Sequence, residues 1–186
     1  MNILIKGKSR KLFVFDNDTV VFSCDVAIGQ NGLGKKKEGD KKTPIGEYKI
    51  KWMVSRNGDA KENPRGLSSF VVDGETYSIR DTELYFGKLE DAGLSKEEFE
   101  IAQDEKLWTE SYGGDDIFVM ALGYPNEEDR KDGKTGSSIH IHSSLSFLKE
   151  GKSYKGTLGC IALLPEDAGE IYKLVSPETR VIIANK

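Results

Sequence analysis

Three residues carry most of the chemical interest in this 186-residue chain. His140 and His142, its only imidazoles, sit two apart in SSIHIHSS, and Cys160 follows in TLGCIAL. In an extended strand alternate side chains share a face, so both imidazoles point one way while Ile139 and Ile141 point the other. The isoleucines can then face a core and leave the imidazoles toward a cleft. Gly159, directly before the cysteine, permits a tight approach to the strand and leaves backbone N–H groups free to point outward.

Three chemistries fit this pattern. Cys160 can be a nucleophile with a histidine as its base, since a thiol of ordinary pKa is only a few per cent ionised at neutral pH and an adjacent imidazole raises that fraction. Alternatively, His140, His142 and Cys160 can bind zinc with a carboxylate as fourth ligand, although the common H-E-x-x-H and C-x-x-C spacings are absent. Or all three are structural, because unpaired cysteine is among the most buried residue types and buried histidines are often satisfied by hydrogen bonds alone. Spacing by itself leaves all three open.

The elements that must position these residues are strands. NILIKG alternates apolar and polar residues, KLFVFD follows a short basic turn, and TVVFSCDVAIG is a longer apolar run. Asn17-Asp18 marks a tight turn, which makes residues 11–29 a hairpin. After a Gly- and Lys-rich loop, Thr43-Pro44 breaks structure and Tyr48 to Val54 reads as a strand. Residues 55–68 read as loop, and SFVVDGETYSI as a hairpin about Asp73-Gly74. Ser95 with Glu98 is a capping-box start for a helix. DIFVMALGY returns to strand, PNEEDRKDGKTG reads as a hydrophilic loop, SSIHIH as a short strand and SLSFLKE as a helical turn or two. GCIALL is a strand, PEDAGEIYKLV a helix with Pro165 in its first turn, and TRVIIA a closing strand. The order lacks regular βα alternation, so a mainly β sandwich with a few short helices is expected.

Composition narrows the function classes. A chain of this length with 37% apolar and 31% charged residues fits one globular domain over residues 1–186. A net charge of −4 supplies no cationic field for nucleic acid. The run GKKKEGDKK is broken by acids and glycines and reads as a solvated loop. No apolar stretch is long enough to span a bilayer, and the N-terminus shows no signal peptide, which suits a cytoplasmic protein or one whose leader has been removed. Two cysteines are too few for a disulfide framework, and Cys24, within an apolar run, reads as a core thiol. Trp52 and Trp108 read as core or rim packing, Asp40 and Thr43 as residues that fix a turn, and Tyr48 as a strand tyrosine or a cleft-lining one.

Taken together, several segments resemble the L,D-transpeptidase catalytic domain family (YkuD-like), and within it the murein L,D-transpeptidase branch that includes YafK-like proteins. GQNGLGKKKEGDKKTPIGEYKI is similar to the family stretch G-x-K-x-x-GD-x-x-TP-x-G-x-Y, with Gly39, Asp40, Thr43, Pro44, Gly46 and Tyr48 in matching places. ALGYPNEED resembles the segment before the catalytic histidine. IHIHSS followed by GTLGCIAL resembles the signature of a histidine, a spacer and S-H-G-C. The resemblance runs from about Ile3 to Ile183, with an insertion expected around 55–116.

The resemblance implies a β-sandwich fold, no cofactor and no metal. It implies acyl transfer on peptidoglycan stem peptides through a Cys160 thioester, with His142 as acid and base. Transpeptidation is the leading expectation; L,D-carboxypeptidase or amidase hydrolysis on the same site is the alternative, and a zinc hydrolase or an idle wall-binding module lies further off. The backbone of Gly159 and Cys160 would form the oxyanion hole and a carbonyl near Thr157 would orient the imidazole. His140 and Tyr48 are secondary candidates. The protein would act as a monomer, in the periplasm or otherwise outside the cytoplasm. Three residues depart from the pattern. Ser143 replaces a glycine after His142, Leu158 a histidine before Gly159, and Ala162 an arginine common after Cys160.

Overall fold

The computed structural model describes residues 1–55, 69–72, 75–78, 118–144 and 156–186. The first strands form where alternation is cleanest: β1 (Asn2–Lys6), β2 (Lys11–Asp16) and β3 (Thr19–Asp25), with Asn17 in the left-handed region at the β2–β3 turn. They are followed by β4 (Gly46–Ser55), the small hairpin of β5 (Ser69–Val72) and β6 (Glu75–Ser78), and β7 (Phe118–Leu122). The remaining elements are α1 (Glu127–Lys131), β8 (His140–Ser143), β9 (Ile161–Leu163), α2 (Pro165–Leu174) and β10 (Arg180–Ala184). Eight strands make one sheet in the order β3-β2-β1-β10-β4-β7-β8-β9, and the fold is mainly β as expected.

Register aligns the apolar rows. Val14, Ile3 and Val181 lie side by side across β2, β1 and β10, and the row continues to Tyr48 on β4. All four are buried in a single apolar core, each aliphatic side chain there contributing roughly 1.5–3 kcal/mol relative to exposure. This row places Tyr48 inside the fold rather than in a cleft. Its ring meets Tyr124 edge-on at 5.9 Å, and its hydroxyl donates to the Ile45 carbonyl at 3.2 Å. Burial, then the nearby Asp129 carboxylate, pushes its phenol well above the ordinary range.

Two departures from simple pairing shape the site. In the first, the β4–β7 register slips between Ile50 and Trp52, so that Ile50 pairs with Leu122 but Trp52 pairs with Ala121. One extra residue in a strand turns the following side chains to the opposite face. Trp52 thereby leaves the face of Ile50 and joins Ala121 and, one strand on, His140. In the second, the ends of the sheet meet. Ala27, just past β3, pairs with Ala162 of β9 through two bonds of 2.9 and 3.0 Å, and Gly29 pairs with Thr157.

Helix α2 begins at Pro165, buries Ala168, Gly169 and Ile171, and packs against β7 and β8. Gly169 lets the Phe118 ring approach, since a Cβ there would lie 2.9 Å from it. Helix α1 falls in the segment read as a loop. Asn126 and Asp129 form a reciprocal capping box, and Lys134 pairs with buried Asp129 at 2.7 Å. The expected Ser95 helix, the SLSFLKE turns, Trp108 and most of the 55–116 insertion lie outside the described residues.

Candidate active site

Strands β8 and β9 bring the chemistry together. They run parallel with Ile141 beside Ile161 and His142 beside Ala162. Ile141 and Ile161 point into the core, and the alternate residues therefore point the other way. Continuing the register by one residue sets Cys160 beside His140, and the His140 backbone is hydrogen-bonded to the Cys160 sulfur. His142 then lies two residues along the adjacent strand on the same face, which puts its Cα about 8 Å from that of Cys160 by strand spacing and rise. That is a separation across which a thiol and an imidazole can meet.

The imidazole of His142 is buried and oriented by backbone. Its Nδ1 lies 2.7 Å from the Ser143 carbonyl oxygen. A carbonyl only accepts, so Nδ1 carries the hydrogen and Nε2 is left as the basic nitrogen. The family resemblance implied a carbonyl near Thr157 for this role; the structure puts Ser143 there, while the Thr157 carbonyl accepts from Gln30 N–H at 2.9 Å. Serine in place of glycine at 143 leaves this bond intact, because it is made by backbone. The Ser143 hydroxyl accepts instead from Phe118 N–H at 3.0 Å and ties β8 to the start of β7.

Thr157 acts through its side chain. Its hydroxyl donates to the Cys160 carbonyl at 2.6 Å and accepts from Gly159 N–H at 3.0 Å, closing the turn before Cys160 on itself. Gly159 has φ +143, and a Cβ there would lie 2.9 Å from the Lys42 carbonyl oxygen, so no larger residue fits. Gly159 N–H, one of the two donors expected for an oxyanion, is taken up by the Thr157 hydroxyl.

The turn is tied to the TP segment as well. Thr43, fully buried, donates to the Gly159 carbonyl at 2.8 Å and accepts from Gly29 N–H at 2.9 Å. Asp40 organises the loop before it. Although burial opposes its charge, N–H groups of Lys36, Lys37 and Lys42 and the Lys35 ammonium hold its carboxyl below the usual carboxylate range. The lysine run is thus not uniformly solvated, because Lys35 is only 5% exposed.

At rest the site is a neutral pair. The Cys160 thiol donates to the Ser138 carbonyl at 3.4 Å. Burial pushes it up to about 11, against the pull of the His140 backbone bond and the Lys35 charge. Burial likewise pushes His142 down to about 4, against the bond to Ser143, and His140 down to about 3, with neighbouring His142 adding to the fall. His140 packs its ring edge-on against Trp52 at 5.1 Å. The donors of a zinc site do not converge: no group of three or more His, Cys, Asp or Glu among the described residues could hold a metal ion.

The two remaining departures differ in burial. Ala162 is completely buried, and its backbone lies between His142 and Ala27. Leu158 is 71% exposed at the turn before Cys160. Cys24 is buried, and its thiol is pushed up to about 12, chiefly by burial, as befits a core residue. The Ser138 and Ser143 carbonyls and Lys35 escaped sequence reading, the first two because backbone groups carry no residue signature.

The family model for the YkuD L,D-transpeptidase catalytic domain matches residues 2–183. Among solved structures, the chain is similar to Bdellovibrio bacteriovorus Bd1075, with 19% identity and a TM-score of 0.55 over 99% of this chain and 47% of that one. It is equally similar to the helical cell shape determining protein Pgp2 from Campylobacter jejuni, with 21% identity and a TM-score of 0.55 over 99% and 47%. The chain therefore spans about half the length of these two proteins. No curated protein matches it. The match over nearly the whole sequence and the shared fold lead to one conclusion: the chain belongs to the YkuD family of L,D-transpeptidase catalytic domains.

Proposed function

We propose that the protein is a cysteine acyltransferase that acts on peptidoglycan stem peptides outside the cytoplasm, with Cys160 as nucleophile and His142 as its base. The observation that carries this reading is the placement of Cys160 and His142 on one face of adjacent strands, with His142 Nδ1 fixed on the Ser143 carbonyl. Membership of the family supports transpeptidase-type chemistry on peptidoglycan.

The steps follow from that placement. The thiol gives its proton to His142 Nε2 as sulfur bonds to the carbonyl carbon between the L-centre and the D-residue. The Cys160 N–H steadies the oxyanion that forms. The C–N bond then breaks, His142 returns the proton to the departing amine, and a thioester remains. An acceptor amine attacks the thioester, His142 takes its proton, the C–S bond breaks and the thiol is restored.

Water in place of the amine gives L,D-carboxypeptidase or amidase action. Buried Ala162 and exposed Leu158 favour keeping this second reading, since neither offers an acceptor a polar partner where the family pattern has arginine and histidine. Incubation with purified muropeptides, read by mass spectrometry, separates the two. Cross-linked dimers mean transpeptidation, and monomers shortened by the terminal D-amino acid with no dimer formed mean hydrolysis. Turnover that survives in Cys160→Ala would remove the nucleophile.

A further inference from the structure

We propose that Lys35 is a positioning residue of this site, whose buried ammonium supplies the positive charge against which the Cys160 thiolate forms. The inference rests on Cys160 being the nucleophile. Lysine is seldom buried without a purpose, because desolvating an ammonium is costly. Lys35 is held on three sides. Its Nζ lies 3.1 Å from Asp40 and donates to the Lys37 carbonyl at 3.2 Å. Its backbone N–H reaches the Thr43 carbonyl at 3.3 Å, and Thr43 holds Gly159. Its side chain fills the space a Cβ at Gly136 would take, with Cε at 3.0 Å and Nζ at 3.4 Å from that point. Gly136 is two residues before Ser138, the acceptor of the Cys160 thiol. Lys35 is therefore wedged between the two segments that grip the nucleophile.

The charge balance favours an outward effect. Asp40 divides its charge among three backbone N–H groups as well as the ammonium, so it neutralises Lys35 incompletely. Among the described residues, Lys36, Lys37 and Lys42 meet Asp40 through backbone N–H groups, and three further titratable side chains flank these segments. Glu38 approaches Gly136 through its backbone, Lys134 is paired with Asp129, and Tyr124, raised by burial, stays neutral. Both imidazoles of the site are neutral, and the Lys35 charge draws the Cys160 thiol downward against its burial, together with the His140 backbone bond. Lys35 takes no proton in the reaction; it lowers the cost of the moment when His142 holds one and the sulfur bears charge.

The test is the pH profile of Cys160 alkylation by iodoacetamide on the intact protein, read by mass. Lys35→Met is expected to move the midpoint upward by roughly one unit and to slow alkylation about tenfold at pH 8. Lys35→Arg is expected to restore most of the rate, and Lys36→Met, which removes an exposed charge from the same loop, to change nothing. Cys24 reports folding, since it is protected in the native protein. If Lys35→Met exposes Cys24, Lys35→Gln keeps the side-chain donors without the charge and carries the same test. An unchanged profile in the neutral variant, or an equal shift in Lys36→Met, overturns the proposal. Because alkylation needs no substrate, this test fails separately from the acyl-transfer reading, whose own failure is muropeptide turnover in Cys160→Ala.

Discussion

The hydroxyl of Thr43 donates a 2.8 Å hydrogen bond to the carbonyl of Gly159, joining the TP segment to the turn before Cys160 across 116 residues of sequence. The same oxygen accepts from Gly29 N–H, so one buried side chain holds three segments. Thr43→Val leaves a buried donor and a buried acceptor without this partner, each costing about 1–3 kcal/mol. Urea unfolding is expected to show a loss in that range, together with slower acylation of Cys160, and Thr43→Ser is expected to recover most of both. A variant as stable and as reactive as the parent would mean the bond does not position the turn.

The two histidines are not equivalent. His142→Ala is expected to lower acylation of Cys160 by about 10²–10⁴-fold, the usual range for loss of a positioned base. A carbapenem adduct followed by intact mass reports it. His140→Ala removes a buried ring from Trp52 and should lower the melting temperature, yet retain acylation within about tenfold, since the bond from residue 140 to the sulfur is made by backbone. The reverse ranking would move the base two residues along the same face.

Stability should fall on both sides of a plateau near neutrality. Burial holds His140 and His142 at about 3 and about 4 in the folded chain, below the 6.5 of an unfolded histidine. As pH falls below 6.5 the unfolded chain binds protons the folded chain refuses, and stability is lost by up to about 1.4 kcal/mol per pH unit for each. On the alkaline side the sign reverses. Cys24 and Cys160 hold their protons to about 12 and about 11, whereas unfolded thiols ionise near 9, so stability drops as pH rises through 9. Chemical denaturation between pH 5 and pH 10 checks both limbs. In His140→Ala and His142→Ala the acid limb should be shallower.

Sequence reading found what local alternation and side-chain chemistry encode. The strands of the first third and the helix at Pro165 stand where their apolar periods put them, whereas the shared face of Cys160 and His142 depends on the parallel pairing of β8 with β9, which only the assembled sheet decides. Tyr48 stayed ambiguous because its side depends on pairing with β10, which only the assembled sheet decides. Helix α1 was missed because its five residues carry almost no apolar period; the Asn126–Asp129 cap was its one signal. Trp52 owes its place beside His140 to a bulge, and a single inserted residue leaves no mark in composition.

The seam between Ala27 and Ala162 bears on the order in which the molecule acquires reactivity. Contacts between distant parts of a chain pay their closure entropy before they return any stabilisation, and they form late. The loop that holds Cys160 leans on that seam and on Thr43, both supplied by the first quarter of the chain. Until the N-terminal hairpin has found β9, the loop that holds Cys160 lacks the bonds from Ala27 and Thr43 that fix it to the rest of the sheet. A newly made chain thus carries Cys160 in an unanchored loop until its first quarter has docked.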